Sequence, residues 1–391
     1  MEKKQNGLKM IIGAGLLVLM LLSITLLFVK KEIQKYENLS CAERTTYNNS
    51  AVEICIPDIV YVASGQDLTI YNKQITNLGE HISEYEVEWI SDYGGVQAHA
   101  ELFSISTLTG MEDEFSVSVA VYGEEHLLLA KKEFTLKIVE AKQWQFSVLA
   151  IGDSLSANGA LYTRLQEHLG NQLICNGTRG YEGFLTEARL GFSAENYLTE
   201  TGYYLEEGEK VHKFWNPETQ RFDWNYYKTS TGFNPDVVLL HLGTNGLLSG
   251  DENAENICKI VELIRQDDEN IPIYVVNTIY QSDQNGIGSM KLNNGARMFP
   301  GQYKQQRDLA VFHLMSYLGK ELSDEKNVYL VPAGISMDSE NAFAMEERPV
   351  NPYSEKTESV AVDAVHPAPA GYYQIADTIY STMCGTSNKW K

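Results

Sequence analysis

Hydrophobic and polar residues alternate with a period of two over residues 58–141. The alternation is clearest at Val87 and Trp89, and at Leu136 and Ile138. This period is typical of strands with one buried face, and turns rich in Gly, Asn and Asp separate the apolar runs. No helical pattern interrupts them. We therefore predict a small antiparallel all-β sandwich that serves as a spacer or, alternatively, as a carbohydrate-binding module.

Over residues 145–391 the pattern changes to short apolar runs that alternate with helical periods. The strand-like runs lie at 146–151, 173–175, 237–242, 273–276 and 328–331. The helical period is clearest in a stripe of apolar residues, Ile257, Ile260, Val261 and Ile264. Alternating strands and helices predict an α/β domain with a parallel sheet. In such sheets ligands bind beyond the carboxyl ends of the strands, so we seek the chemistry there.

Residues 10–29 form a run of twenty residues without a charge. As a helix that rises about 1.5 Å per residue, this run would span a bilayer core of about 30 Å. A cleaved signal peptide is the alternative, but the run is long for one and no small-residue cleavage site follows it. We therefore predict a single-pass transmembrane anchor at 10–29, a cytoplasmic tail at 1–9 and a polar stalk at 30–57.

The lysines that flank the predicted anchor leave its orientation open. Three precede it and three follow it: Lys3, Lys4, Lys9, Lys30, Lys31 and Lys35. The positive-inside rule therefore gives a tie. An extracellular catalytic domain at the cell membrane is an expectation drawn from domain content.

Composition excludes some classes of function. The chain has 391 residues, 43% of them hydrophobic, which is enough for two globular units with full-sized cores. Its net charge of −21 repels phosphate backbones, so we expect no nucleic-acid partner. None of the five cysteines lies in a CxxC pair or a Cys/His cluster, so we expect no metal and no cofactor. Cys41 and Cys55 either form a bridge or remain two free thiols.

The first candidate for chemistry is a serine at the end of the first predicted α/β strand. Gly152-Asp153-Ser154-Leu155-Ser156 follows that strand, and a helix is predicted from about Asn158 to Leu169. A serine in a strand-to-helix turn lies near helix N–H groups, which stabilise developing negative charge. An N-capping serine is the alternative for such a turn.

The third predicted strand of this domain ends in Gly243-Thr244-Asn245-Gly246. The side-chain amide of Asn245 could donate a hydrogen bond to an oxyanion, and one such donor stabilises a transition state by roughly 3–4 kcal/mol. A plain Asn-Gly turn is the alternative.

Asp363-Ala364-Val365-His366-Pro367 stands just before the last predicted helix. Serine needs an adjacent base, and histidine, with an ordinary pKa near 6.5, suits that task. A carboxylate three residues away can hold the other ring nitrogen. The other histidines lack such a partner in a terminal loop; His241, inside an apolar strand, is expected to be a satisfied core residue.

In this order, the three segments resemble the first, third and fifth sequence blocks of the SGNH (GDSL-type) hydrolases. The resemblance covers residues 145–384, and it implies a flavodoxin-like three-layer α/β/α sandwich that hydrolyses esters through an acyl-enzyme. It implies Ser154 as nucleophile, His366 as general base and then acid, and Asp363 as the residue that orients His366. The Ser154 N–H and Asn245 would line the oxyanion hole.

The sequence departs from the family at two places. Gly246 stands where the third block usually has an acidic residue, which removes a loop-fixing carboxylate but no reacting group. The second block, which supplies a glycine N–H to the oxyanion hole, has several candidates: Gly177, Gly180, Gly183 and Gly191. We favour Gly191, because Glu187-Ala188-Arg189-Leu190-Gly191-Phe192 resembles the glycine-aromatic pattern of some members.

The acyl group is not determined by these residues. We expect a carbohydrate O-acetylesterase that acts on a polysaccharide or a small-molecule ester at the cell surface. Aromatic residues between Trp215 and Tyr227 either stack on sugars or, for most of them, belong to the core. A lipase or lysophospholipase, or an acyl-transferring enzyme, is the alternative, although the long segment 281–298 is polar and Gly/Asn-rich. A catalytically inactive binding protein is a further alternative.

Overall fold

Residues 51–141 form two small β-sheets. A computed structural model describes residues 51–99, 101–200, 211–282 and 304–387. The strands of this part are β1 (Ile59–Ala63), β2 (Asp67–Tyr71), β3 (Glu86–Ser91), β4 (Val96–Ala98), β5 (Leu102–Ser106), β6 (Asp113–Tyr122) and β7 (Leu128–Val139). The short helices are α1 (Asn72–Ile75) and two 3₁₀ helices, Gly79–Glu84 and Glu124–His126. One sheet has the strand order β1-β7-β6-β3, and the other has the order β2-β5-β4.

The two sheets pack face to face around aromatic residues. Trp89 of one sheet stacks on Phe103 of the other, with ring centroids 4.8 Å apart, and meets Phe134 edge-on at 6.4 Å. The predicted sandwich is therefore present. However, β1 pairs with β7 in parallel, so the antiparallel prediction is wrong for this pair. Residues alternate between two faces in either strand direction, which is why the sequence period could not distinguish them.

The sandwich packs directly on the last helix of the chain. The Ala63 N–H donates a hydrogen bond of 3.0 Å to the Ser381 hydroxyl. Gly385 lies so close to the Tyr61 ring that an added Cβ would stand 2.0 Å from it. Residues from 51 onward belong to one compact unit. The domain boundary between 141 and 145 stays a prediction.

The rest of the described chain has a central parallel sheet with helices on both faces and, outside it, three two-stranded antiparallel sheets. Its strands are β8 (Phe146–Gly152), β9 (Leu173–Asn176), β10 (Arg179–Tyr181), β11 (Phe184–Thr186), β12 (Trp215–Asn216), β13 (Arg221–Phe222), β14 (Val237–His241), β15 (Ile273–Val276), β16 (Val328–Val331), β17 (Met345–Pro349) and β18 (Thr357–Ala361). Its helices are α2 (Gly159–His168), α3 (Ala194–Leu198), α4 (Trp224–Thr231), α5 (Asp251–Asp267), α6 (Lys304–Glu321), α7 (Ala333–Ser336), α8 (Pro369–Thr386) and a 3₁₀ helix, Leu247–Ser249.

The five strands of the central sheet are all parallel, in the order β9-β8-β14-β15-β16. Counted along the chain, this is the 2-1-3-4-5 order of flavodoxin-like sheets. Neighbouring residues of β14 face opposite cores: Leu240 packs in the cluster that contains α5 and α6, and Leu239 in the cluster that contains α2 and α8. Three layers follow from this arrangement, with the carboxyl ends of β8 and β14 side by side.

The predicted anchor at 10–29 lies outside the described residues and stays a prediction, as does the pairing of Cys41 with Cys55. Within the described ranges, no helix combines the length and the apolar character needed to cross a bilayer. Ile56 is 5% exposed and packs in the core, so the folded part includes residues that we had assigned to the stalk.

Candidate active site

Ser154 lies in a tight turn directly after β8. The carbonyl oxygens of Asp153 and Ser154 accept hydrogen bonds from the N–H groups of Ser156 (3.2 Å) and Ala157 (3.3 Å). Gly152 permits the turn, because an added Cβ would stand 2.6 Å from the His241 carbonyl oxygen of the neighbouring strand. α2 then begins with Asn158 as its N-cap, so the capping function that we considered for Ser154 belongs to Asn158.

The structure brings together the hydroxyl, the imidazole and the carboxylate that the sequence singled out. Ser154 Oγ lies 2.8 Å from His366 Nε2, and His366 Nδ1 lies 2.8 Å from Asp363 Oδ2. The other carboxylate oxygen of Asp363 accepts hydrogen bonds from the N–H groups of Val365 (2.8 Å) and His366 (3.1 Å). The loop before α8 is therefore held by the same carboxylate that holds the imidazole.

This geometry shifts the pKa values of the two partners in opposite directions. The hydrogen bond that His366 donates to Asp363 raises the pKa of His366 above its ordinary value, more than burial lowers it. Burial acts to raise the pKa of Asp363, but the hydrogen bonds that the carboxylate accepts from His366 and from the backbone together lower it. Asp363 is therefore ionised at neutral pH and stabilises a positive charge on the ring.

Asn245 and Gly191 lie on neighbouring loops at the same edge of the sheet. The Asn245 amide donates a hydrogen bond of 3.1 Å to the Phe192 carbonyl oxygen. Two residues before Gly191, the Arg189 N–H donates one of 2.9 Å to the Gly152 carbonyl oxygen. Gly191 is thus the candidate glycine whose chain neighbours contact both β8 and Asn245.

Two residues that the sequence did not reveal hold the loop that carries Asn245. The Asn253 amide donates a hydrogen bond of 3.1 Å to the Gly243 carbonyl oxygen. The hydroxyls of Thr244 and Thr278 also bond to each other. These contacts come from α5 and from the segment after β15, so no sequence pattern near Asn245 predicts them. They fix the loop in which Gly246 replaces the expected acidic residue.

Asp153 is a fully buried carboxyl beside the serine. One of its oxygens accepts the Leu155 N–H at 2.9 Å, and burial raises its pKa to about 7. Because an unfolded Asp has a pKa near 3.9, the folded chain keeps a proton over an interval in which the unfolded chain has lost it. This group therefore contributes stability that decreases as the pH rises from about 4 to about 7.

The Asp153→Asn variant keeps the acceptor for Leu155 and removes the titration. Between pH 5 and pH 8 we expect wild type to lose about 3 kcal/mol more unfolding free energy than this variant. Urea unfolding of both proteins at the two pH values measures the difference. Equal losses would show that Asp153 is already ionised at pH 5.

Of the aromatic residues considered for stacking on sugars, Trp215, Phe222, Trp224 and Tyr227 are buried, and Phe214 stacks on Tyr227 at 4.3 Å and on Phe222 at 4.9 Å, as a core role requires. Tyr226 is half-buried and lines a cavity together with Trp215. The expectation for His241 needs correction. His241 is buried as predicted, but neither ring nitrogen has a hydrogen-bond partner among the described residues. Burial lowers its pKa to about 4, so it is neutral.

Within the described ranges, no group of three or more His, Cys, Asp or Glu side chains could hold a metal ion. The segment 281–298 lies outside the described residues except for Gln281 and Ser282, so its character as a lid or a polar loop stays a prediction.

A comparison with family models and one with curated proteins each found no match. Solved structures do match. A possible lipase from Chitinophaga pinensis is 16% identical, with 62% of this chain and 99% of that one covered and a TM-score of 0.36. A carbohydrate esterase family 3 protein from Talaromyces cellulolyticus is 15% identical, with 60% and 94% covered and a TM-score of 0.34. A member of the lipolytic G-D-S-L family from Veillonella parvula is 14% identical, with 59% and 94% covered and a TM-score of 0.31.

The matching structures thus include a possible lipase, a carbohydrate esterase and a member of the lipolytic G-D-S-L family.

Proposed function

We propose that this chain is a serine esterase of the SGNH type. The observation that carries the proposal is the continuous line of hydrogen bonds from Ser154 through His366 to Asp363, with both heavy-atom distances at 2.8 Å. A hydroxyl within reach of a base, and a base held by a carboxylate, form the arrangement that nucleophilic acyl transfer requires.

In the proposed reaction, His366 Nε2 takes the Ser154 proton as Oγ attacks the ester carbonyl. The carbonyl oxygen becomes an oxyanion, which accepts hydrogen bonds from the N–H groups of Ser154 and Gly191 and from Asn245. An amide carries two N–H bonds, so Asn245 can keep one on Phe192 and offer the other to the oxyanion.

The intermediate collapses when the carbon–oxygen bond to the alcohol breaks, and His366 returns the proton to the leaving alkoxide. Water, deprotonated by His366, then attacks the acyl-enzyme. The bond from the acyl carbon to Ser154 Oγ breaks, and His366 returns the proton to Oγ as the acid leaves. Asp363 stays ionised throughout and stabilises the imidazolium that forms in both halves of the reaction.

For the substrate, we propose an O-acetylated carbohydrate at the cell surface. The predicted anchor and the sandwich next to the catalytic part support this proposal. The aromatic residues that form a core cluster do not support it, because buried rings cannot stack on a sugar. Protease treatment of intact cells tests the proposed location, because an extracellular domain would be degraded there. A lipase-type or acyl-transferring activity on the same three residues remains the alternative.

A series of p-nitrophenyl esters of increasing acyl length tests the substrate proposal on the full chain. We expect kcat/KM for the acetyl ester to exceed that for the octanoyl ester by about 10-fold or more, because an acyl site that fits two carbons sterically excludes the longer chain. A lipase-type groove would instead gain roughly 0.8 kcal/mol for each methylene group that it buries. Release of acetate from an acetylated polysaccharide should accompany the preference for the acetyl ester. A preference for the octanoyl ester would favour the lipase alternative, and no hydrolysis of any ester would favour the inactive binding protein.

A further inference from the structure

The segment before Gly191 runs beside the strand that carries Ser154. β9 pairs with β8 only as far as Leu149. Beyond that point the Glu187 N–H donates to the Ala150 carbonyl oxygen and the Arg189 N–H donates to the Gly152 carbonyl oxygen, both at 2.9 Å. Glu187 and Arg189 thus continue the edge of the sheet up to the residue that precedes the serine turn.

These two residues carry opposite charges into the protein interior. Both side chains are fully buried, and Arg189 Nη2 lies 3.7 Å from Glu187 Oε2. The other carboxylate oxygen of Glu187 accepts hydrogen bonds from the Thr178 N–H (2.8 Å) and from the Tyr227 hydroxyl (3.2 Å). The pair is therefore built into the network between β9, α4 and the end of β8.

Contacts connect this pair to two of the three proposed oxyanion donors, Gly191 and Asn245. The Arg189 guanidinium lies over the Phe192 ring, 5.6 Å from its centroid, and the Phe192 carbonyl oxygen accepts the Asn245 amide. The Tyr197 hydroxyl lies 2.8 Å from the Gly152 carbonyl oxygen and 2.7 Å from that of Glu187. Gly191 sits between Arg189 and Phe192, so the segment is fastened on both sides of its N–H.

Stability alone does not account for a buried ion pair at this place. Removing two charges from water is costly, and apolar residues of similar volume often serve folding equally well or better. The hydrogen bonds that Glu187 accepts from Thr178 and Tyr227 fix its carboxylate, and with it one position of the backbone. A donor stabilises an oxyanion well only if it is held to within a fraction of an ångström of the productive position, so a fixed backbone matters at this segment.

We propose that Glu187 and Arg189 are positioning residues for the oxyanion hole, which they hold in place through the backbone of Leu190, Gly191 and Phe192. This inference rests on the proposed esterase function. It assigns the placement of the Gly191 N–H and of Asn245 to a fully buried pair.

The test uses the full chain with p-nitrophenyl acetate and the variants Arg189→Met, Arg189→Lys and Glu187→Gln. Because oxyanion stabilisation acts on the transition state, kcat should fall about 10- to 100-fold in Arg189→Met while KM changes by less than about 3-fold. The pH dependence should not move, since His366 keeps its partner. Arg189→Lys keeps the charge and should recover part of the kcat.

Glu187→Gln keeps the acceptor for Thr178 and Tyr227 but removes the charge, so it carries the test if Arg189→Met does not fold. We expect the double variant to lose no more kcat than Arg189→Met alone, because the two residues act together. The matched control is Lys304→Met, which breaks another buried ion pair, that of Lys304 with Asp308 on α6. It should lower the unfolding temperature and leave the kcat of the folded protein unchanged.

Wild-type kcat in both Arg189→Met and Glu187→Gln, or an equal loss of kcat in Lys304→Met, would overturn the positioning role. Either result would leave the proposed esterase function intact, provided that the activity of the wild type depends on Ser154. A wild-type chain without esterase activity would instead refute the proposed function, so the two failures can be told apart.

Discussion

Replacing Ser154 by alanine is expected to lower kcat for p-nitrophenyl acetate by roughly 10⁵–10⁶-fold, with the residual hydrolysis assisted by the oxyanion donors. The reason is the loss of the only atom that can form the acyl-enzyme in the proposed reaction. Ser154 is half-buried, and within the described ranges its hydroxyl bonds only to His366, so its removal leaves the turn intact and should change stability little. Steady-state kinetics and thermal unfolding of the same preparation measure the two effects.

Ser147→Ala is the matched control for this variant. Ser147 stands at the opposite end of β8, where its hydroxyl bonds to Asp236. We expect its kcat to stay within about 2-fold of wild type, because it touches no reacting group. Hydrolysis that survives in Ser154→Ala would show that another group attacks the ester.

Replacing Asp363 by asparagine is expected to lower kcat by about 10⁴-fold. The amide has nearly the same shape as the carboxylate, but it donates a hydrogen bond where His366 Nδ1 must donate. The ring is then held in the wrong tautomer, and the imidazolium loses its counter-charge. A drop smaller than about 10-fold would contradict the role of Asp363.

The pH dependence gives this prediction a second readout. His366 must be neutral to act as a base, so kcat/KM of wild type should rise with pH through a pKa above the ordinary value of about 6.5, because Asp363 raises the pKa of His366. In Asp363→Asn the residual activity should rise through a lower pKa. Asp377→Asn is the matched control: it breaks another Asp–His hydrogen bond, the 2.6 Å contact with His168, and should leave the profile unchanged.

The central sheet could be predicted from the sequence because its strands are buried on both faces. Such strands appear as continuous apolar runs, and the predicted run 146–151 matches β8 to within one residue. Ser154, His366 and Asp363 could also be predicted from the sequence, since each follows a strand or precedes a helix at the edge where parallel sheets bind ligands.

Other features of the fold and the site could not be predicted, because they depend on which segments far apart in the sequence lie together in the structure. The parallel pairing of β1 with β7 could not be predicted, because parallel and antiparallel strands show the same alternation of hydrophobic and polar residues. The aromatic residues around Phe214 look the same in a sequence whether they bind a sugar or fill a core. Glu187 and Arg189 resemble ordinary polar loop residues, and only the fold shows that both are fully buried. Charged residues are rarely buried without a partner, so their burial was the least predictable feature of the site.

The nucleophile itself is the central claim, and covalent labelling tests it most directly. The full chain is treated with a fluorophosphonate, digested, and analysed by mass spectrometry in parallel with loss of p-nitrophenyl acetate hydrolysis. We predict one adduct, on Ser154, that accumulates in step with the loss of activity and is absent when His366 is replaced by alanine. An adduct on another residue that tracks the loss of activity, or full activity in a chain labelled at Ser154, would contradict the account.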